Sequence, residues 1–421
     1  MVQFDMLRFD RLRWGIVLSI LGFGTSATAG DWPQILGPNR NGIASADEKL
    51  ADKWPSGGPP VIWEKDVGSG YAGVAVEGDD VVLFHRVKRN EVVEVLSAET
   101  GESKWNVKWS TDFYPQVGGG DGPLCVPVIA GNRIVAFGAQ GVLTCIDRES
   151  GEQLWQVDTR SEFGAREGYF GFGSTPLVIG ERVIVNVGGS KKKAGVVAFS
   201  LESGEVLWSR TEEPASYSAP VECSVAGMPH IMIITRYKCM LMDPENGYLR
   251  FQFPFGQRGP TVNGASPVVL GDHVLVTSSY GVGSRYVKFD FFGSKEVWET
   301  ERTMASQYCT PIVVDDKIYV IDGRDDIPPA DLKCLDLKTG KLLWSEPNFG
   351  YGTLIHADGK FLACLVSGEV LLGRMEETRM KVLSRARLFR STMRALPALS
   401  NGRMYLRDQS TLKCYSVAPG L

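Results

Sequence analysis

Two side chains suited to proton transfer stand where apolar residues are otherwise the rule. Glu222 and His356 each lie two residues after the residue, usually Pro, that opens a strand-length apolar run. A carboxylate and an imidazole in one pocket could serve as an acid and base pair. They belong to different units of the sequence, nothing in their spacing brings them together, and they read as polar groups lining a channel. The chain has four His and eight Cys among 421 residues, with no C-x-x-C pair, close His/Cys cluster or Ser/His/Asp spacing. Metal-site and nucleophilic-triad chemistry is therefore not indicated. The Asp322, Asp325 and Asp326 group lacks the ligand spacing of an EF-hand.

Recognition chemistry is better represented. Three residues before successive openers stand Tyr71, Tyr217, Tyr308, Tyr351 and Arg394. Tyr offers a rigid apolar body with a polar tip, which suits binding surfaces. Connections expected beside this column add Asp121, Arg166, Tyr169, Phe170, Asn263 and Gln307. The competing reading of the column is that each Tyr plugs a channel and bonds neighbouring backbone. Loops bearing Arg86, Lys88 and Arg89, or Lys191, Lys192 and Lys193, read as solvated faces.

The elements that must position these residues repeat about every 40–50 residues. The clearest copy runs from Pro176-Leu-Val-Ile-Gly180 through Val183–Val187 and Gly195–Phe199 to Glu202-Ser-Gly204-Glu205 and Trp208. Openers recur at Val74, Pro127, Pro176, Pro220, Pro267, Pro311, Leu354 and Pro397. Closing aromatics are expected at Trp105, Trp155, Trp208, Phe251, Trp298, Trp344 and Phe389. The last unit is one strand short, and Val61–Val67, with its Trp63, supplies the missing strand from the other end of the chain. The sequence thus predicts an all-β, eight-bladed propeller of four-stranded antiparallel blades, with seven blades as the alternative parse. The fourth unit departs from the pattern, residues 223–229 reading as an insertion before its second strand.

Net charge is −4, which argues against a nucleic-acid partner. Arg8, Arg11 and Arg13, the apolar run Trp14–Phe23 and Ala27-Thr28-Ala29 read as a cleaved export signal over residues 1–29. A lead-in of residues 30–60 and the propeller over 61–421 follow. The expected location is periplasmic or secreted, without a transmembrane span in the mature chain and as a monomer. Cys145, Cys334 and Cys414 occupy one repeat position in third strands, so the thiols are expected buried and unpaired despite export.

The units of form Gly-x-Leu-x-Cys-x-Asp-x-x-Ser-Gly-Glu-x-Leu-Trp resemble the pyrroloquinoline-quinone (PQQ) type β-propeller repeat. The segment Asp31-Trp-Pro-Gln-Ile-Leu-Gly-Pro-Asn-Arg-Asn-Gly42 is similar to the lead-in of exported PQQ-like propellers. The resemblance covers nearly the whole mature chain and implies the fold, while its members include quinoprotein dehydrogenases and cofactor-free scaffolds. One such scaffold is the outer-membrane assembly propeller of the β-barrel insertion machinery, whose lipid-attachment Cys has no counterpart here. A dehydrogenase would imply PQQ and Ca²⁺. The adjacent cysteines of the alcohol-oxidising members and a c-type haem motif are absent. The expectation is a non-catalytic scaffold for a protein segment, or alternatively a saccharide; the competing expectation is a PQQ/Ca²⁺-dependent alcohol or sugar oxidoreductase.

Overall fold

The computed structural model describes residues 30–259 and 261–420; the expected export signal lies outside the described residues. Eight sheets of four antiparallel strands form a ring, the innermost strand of the first (Ala75–Glu77) meeting both the second (Val128–Ala130) and the last (Ala398–Ser400). The eighth sheet takes its outer strand, Val61–Asp66, from the N-terminal side, paired antiparallel with Thr411–Ser416. Middle strands such as Asp80–Val87 are buried on both faces because each sheet is packed between two others, so they read as continuous apolar runs.

A bulge recurs in the outer strand of all eight blades, one residue before the wedge position. It sharpens the local twist and places Trp63, Trp155 and Trp344 opposite a small Cys on the third strand. The indole then docks on the next blade. Trp63, Trp105, Trp155, Trp208 and Trp298 donate Nε1–H to carbonyls of Ala98, Arg148, Leu201, Pro244 and Leu337 at 2.8–3.0 Å. Their faces cover Gly101, Gly151, Gly204, Gly247 and Gly340, whose φ lies between 67° and 74° and where a Cβ would come within 2.6–2.8 Å of the ring. Glycine is required there twice, for the left-handed turn and for the tryptophan.

The seventh blade differs from the expected pattern. Its wedge position is Ser384, not Phe389, which lies beyond the strand Met380–Arg387. Trp54 of the lead-in is buried there, its backbone N–H bonded to Ser384 Oγ at 2.8 Å. The fourth unit is also corrected: residues 223–229 are no insertion, but the two sides of one longer hairpin, Val221–Val225 paired with Met228–Ile234.

Residues 31–44 close one end of the central channel. Trp32 exchanges both backbone hydrogen bonds with Val76, Pro33 accepts from Ile129, and Gly42 and Ala44 bond His356. Arg40, 2% exposed, donates to the carbonyls of Pro176 and Pro220 on the third and fourth blades and, at 2.7 Å, to Gln34 Oε1. Burial is the main cause that lowers the Arg40 guanidinium to about 9, against the charge of Glu222.

Candidate functional site

With one end plugged, the channel becomes a blind funnel of about 950 Å³ opening on the face of the fourth-to-first and second-to-third strand connections. Ile35 of the plug and Leu124 and Leu396 are among its apolar lining. The aromatic side is built by a paired exchange of residue sizes between neighbouring blades. A Cβ at Gly173 would lie 2.4 Å from the ring of Tyr217, and one at Gly264 would lie 2.9 Å from Tyr308. Glycine in the column thus makes room for the next blade's tyrosine. Tyr217 Oη accepts the backbone N–H of Phe170 at 3.0 Å, and the two rings meet edge-on with centroids 6.0 Å apart. Burial raises the Tyr217 phenol to about 12.

The opposite side is polar. Arg394 is paired with Asp325 and lies over the Tyr71 ring, 5.5 Å from its centroid. Arg324 forks onto Asp326 and stacks on Tyr280 at 4.2 Å. Gln307 donates to Tyr280 Oη at 2.7 Å and accepts from the Asp325 backbone N–H at 2.9 Å. The Tyr308 hydroxyl is enclosed without a hydrogen bond of ordinary geometry; burial first, then the charges of Tyr351 and nearby Asp325, push it well above 10. For Arg394, burial opposes the charge but Asp325 outweighs it and raises the guanidinium.

Of the expected site residues, Tyr71, Tyr217, Tyr308, Gln307 and Arg394 line the funnel together with Tyr169 and Phe170. Tyr351 does not line it. It is 7% exposed, and its hydroxyl accepts the N–H groups of Tyr308 and Cys309 at 2.7 and 3.0 Å, which orders the loop that carries Tyr308. Asn263 is buried, its amide donating to Thr235 and Arg236 carbonyls at 2.9 and 3.2 Å. Asp121 accepts from Ser69 and pairs with Arg86, 3.6 Å away, outside the funnel lining. Arg166 is exposed and also outside it. The column did not point to Tyr280, Arg258 or Arg324; the loop position of Arg324 between second and third strands was the available signal.

No acid–base pair forms from Glu222 and His356. Glu222 faces Arg40, while His356 packs on Phe361 with centroids 4.8 Å apart. The three loop aspartates are separately engaged, Asp322 by Lys333 at 2.6 Å and the other two by arginines. Among the described residues, no group of three or more His, Cys, Asp or Glu could hold a metal ion. All eight cysteines are buried and free. This donor set does not suit a quinone–Ca²⁺ pair, which needs carboxylate and amide oxygens converging on the ion.

Residues 88–346 match the family described as outer membrane protein assembly factor BamB. The chain belongs to that family. A curated relative of the same name from Moranella endobia is 23% identical over 290 residues, 65% of this chain and 70% of the relative. Among solved structures, BamB from Moraxella catarrhalis superimposes with a TM-score of 0.63 at 14% identity, covering 85% of this chain and 99% of that one. A quinohemoprotein alcohol dehydrogenase from Pseudomonas putida gives 0.64 at 12% identity, covering 92% and 80%. At such identities the structural likeness establishes the PQQ-like ring, and chemistry must be argued from the site. No helix among the described residues is long and apolar enough to cross a membrane.

Proposed function

We propose that this chain is an exported, non-catalytic propeller that works as a binding and assembly scaffold in the cell envelope, holding a protein segment in its aromatic funnel. The observation that carries this reading is the makeup of the funnel: Tyr and Phe walls over an apolar floor, with Asp325 and Asp326 each engaged by an arginine. Such a pocket has affinity to offer and little acid–base chemistry. The relatives' designation as assembly factors supports the same reading.

The test replaces Tyr217 and Phe170 by Ala and compares the envelope proteins that co-purify with the two forms. The funnel variant is expected to lose partners that the wild-type ring retains while still unfolding cooperatively, at a lowered melting temperature. Identical retention would remove the funnel as the binding site. Addition of PQQ and Ca²⁺ to the purified protein is expected to give no stoichiometric quinone absorbance; a stoichiometric complex with dye-linked alcohol oxidation would overturn the scaffold reading.

A further inference from the structure

The whole chain carries a net charge of −4, yet the funnel's charges are weighted the other way. Three guanidiniums, Arg258, Arg324 and Arg394, line it against two carboxylates, Asp325 and Asp326. Both carboxylates are engaged, by Arg394 and Arg324 respectively. Arg258, exposed on the connection between the fourth and fifth blades, has no partner among the described residues. Beside it, Arg236 donates to the Gly259 carbonyl at 2.6 Å and lies over the Tyr169 ring at 5.7 Å, without a carboxylate. Glu213, from the preceding connection, is taken by Lys238 at 3.0 Å. One sector of the rim therefore presents two guanidiniums without counter-ions among the described residues.

Below that sector the lining turns apolar and aromatic, through Val262, Tyr217 and Ile35. The volume of about 950 Å³ is of the size that holds a short segment or a drug-sized ligand. The plug makes the funnel blind, so a chain can dip into it but not thread through it.

We infer that the funnel takes an acidic peptide segment: one bulky apolar or aromatic side chain seated over Ile35, with a flanking carboxylate held at the Arg236 and Arg258 rim. The inference rests on the funnel being a protein-binding site. Charge complementarity singles out the acidic segment, and aromatic walls with an apolar floor supply the anchor pocket.

The test uses the purified chain and fluorescein-labelled peptides read by fluorescence anisotropy. The probes are Gly-Ser-Asp-Asp-Trp-Asp-Ser-Gly, the same peptide with every Asp replaced by Lys, and the acidic peptide with Ala for Trp. The acidic Trp peptide is expected to bind at least about tenfold more tightly than either alternative, and to weaken as salt is raised. Arg258→Glu, an exposed substitution, is expected to shrink or invert the preference for Asp over Lys. Equal binding of acidic and basic peptides, lost in Tyr217→Ala, overturns the acidic specificity and leaves the protein-binding reading standing. Equal binding with Ala for Trp places the peptide outside the funnel and overturns the inference. If no peptide binds at millimolar concentration, the inference falls; if a neutral oligosaccharide such as maltoheptaose then binds, the protein-segment reading falls with it.

Discussion

The backbone amide of Trp54 donates to Ser384 Oγ at 2.8 Å, and the Trp54 indole is buried beside the one wedge position where the ring's own repeat has no aromatic. The lead-in therefore repairs the seventh blade as well as plugging the channel. Replacing Trp54 with Ala is expected to cost about 3–5 kcal/mol, the usual range for a buried Trp truncation. Hydrogen exchange should rise first in Met380–Arg387, and unchanged protection there would show that the blade holds without the lead-in.

The indole–glycine latch predicts a contrast between two glycines of equivalent turns. Gly204→Ala meets both a left-handed φ of 74° and the Trp155 ring at 2.6 Å, and is expected to destabilise by about 2–4 kcal/mol. Gly293→Ala, in the turn that follows the Phe251 blade, has nothing within 4 Å and is expected to stay within about 0.5 kcal/mol of wild type. Denaturant midpoints of the two variants decide it.

Two buried groups pull stability in opposite directions with pH. Burial raises Glu91 from 4.5 to about 7, against its hydrogen bonds from Ala139 and Trp109. The folded state then keeps a proton the unfolded state has released, so stability falls as pH rises through that window. Burial first, then the Arg407 charge, lowers His85 from 6.5 to about 4. Here the unfolded state takes up a proton the folded state refuses, so stability falls as pH drops from 6.5 towards 4. The opposing slopes should leave a shallow profile near pH 5–6. Glu91→Gln is expected to expose the His85 slope, up to about 1.4 kcal/mol per pH unit; an unaltered profile in denaturant titrations would refute the assignment.

Every cysteine is buried and free, and burial pushes thiols such as Cys145, Cys223 and Cys414 up to about 12. Thiolate is the reactive form, so a disulfide-exchange reagent is expected to titrate none of them in the native protein and all eight after denaturation. Fewer than eight in denaturant would mean that disulfides form in the folded protein.

The ring was legible in the sequence because its period is written in turns and wedge residues, and the orphan strand Val61–Asp66 pairs where the missing strand was needed. Phe389 was misplaced because its blade borrows an aromatic from Trp54, about 330 residues away in the chain, which no alignment of repeats can show. The column placed three of its four tyrosines and Arg394 in the funnel and failed at Tyr351. The first strand of the seventh blade starts early, at Gly352, and this turns the preceding Tyr351 into the core instead of the funnel. The lead-in reads as an extended segment because its partners are scattered along the chain, from Val76 to His356, so its role as a plug emerges only in the folded ring.

The pairing of Val61–Asp66 with Thr411–Ser416 also sets a schedule. A chain that emerges N-terminus first presents its clasp strand early and must wait for the other half until Thr411–Ser416 has followed. Until then the partial ring has two bare sheet faces and an unseated lead-in, a form open to proteases and chaperones. Once the clasp shuts, the first and eighth sheets gain their second neighbours together. A copy truncated near its end should therefore be cleared as an unfinished chain instead of persisting as a weakened one.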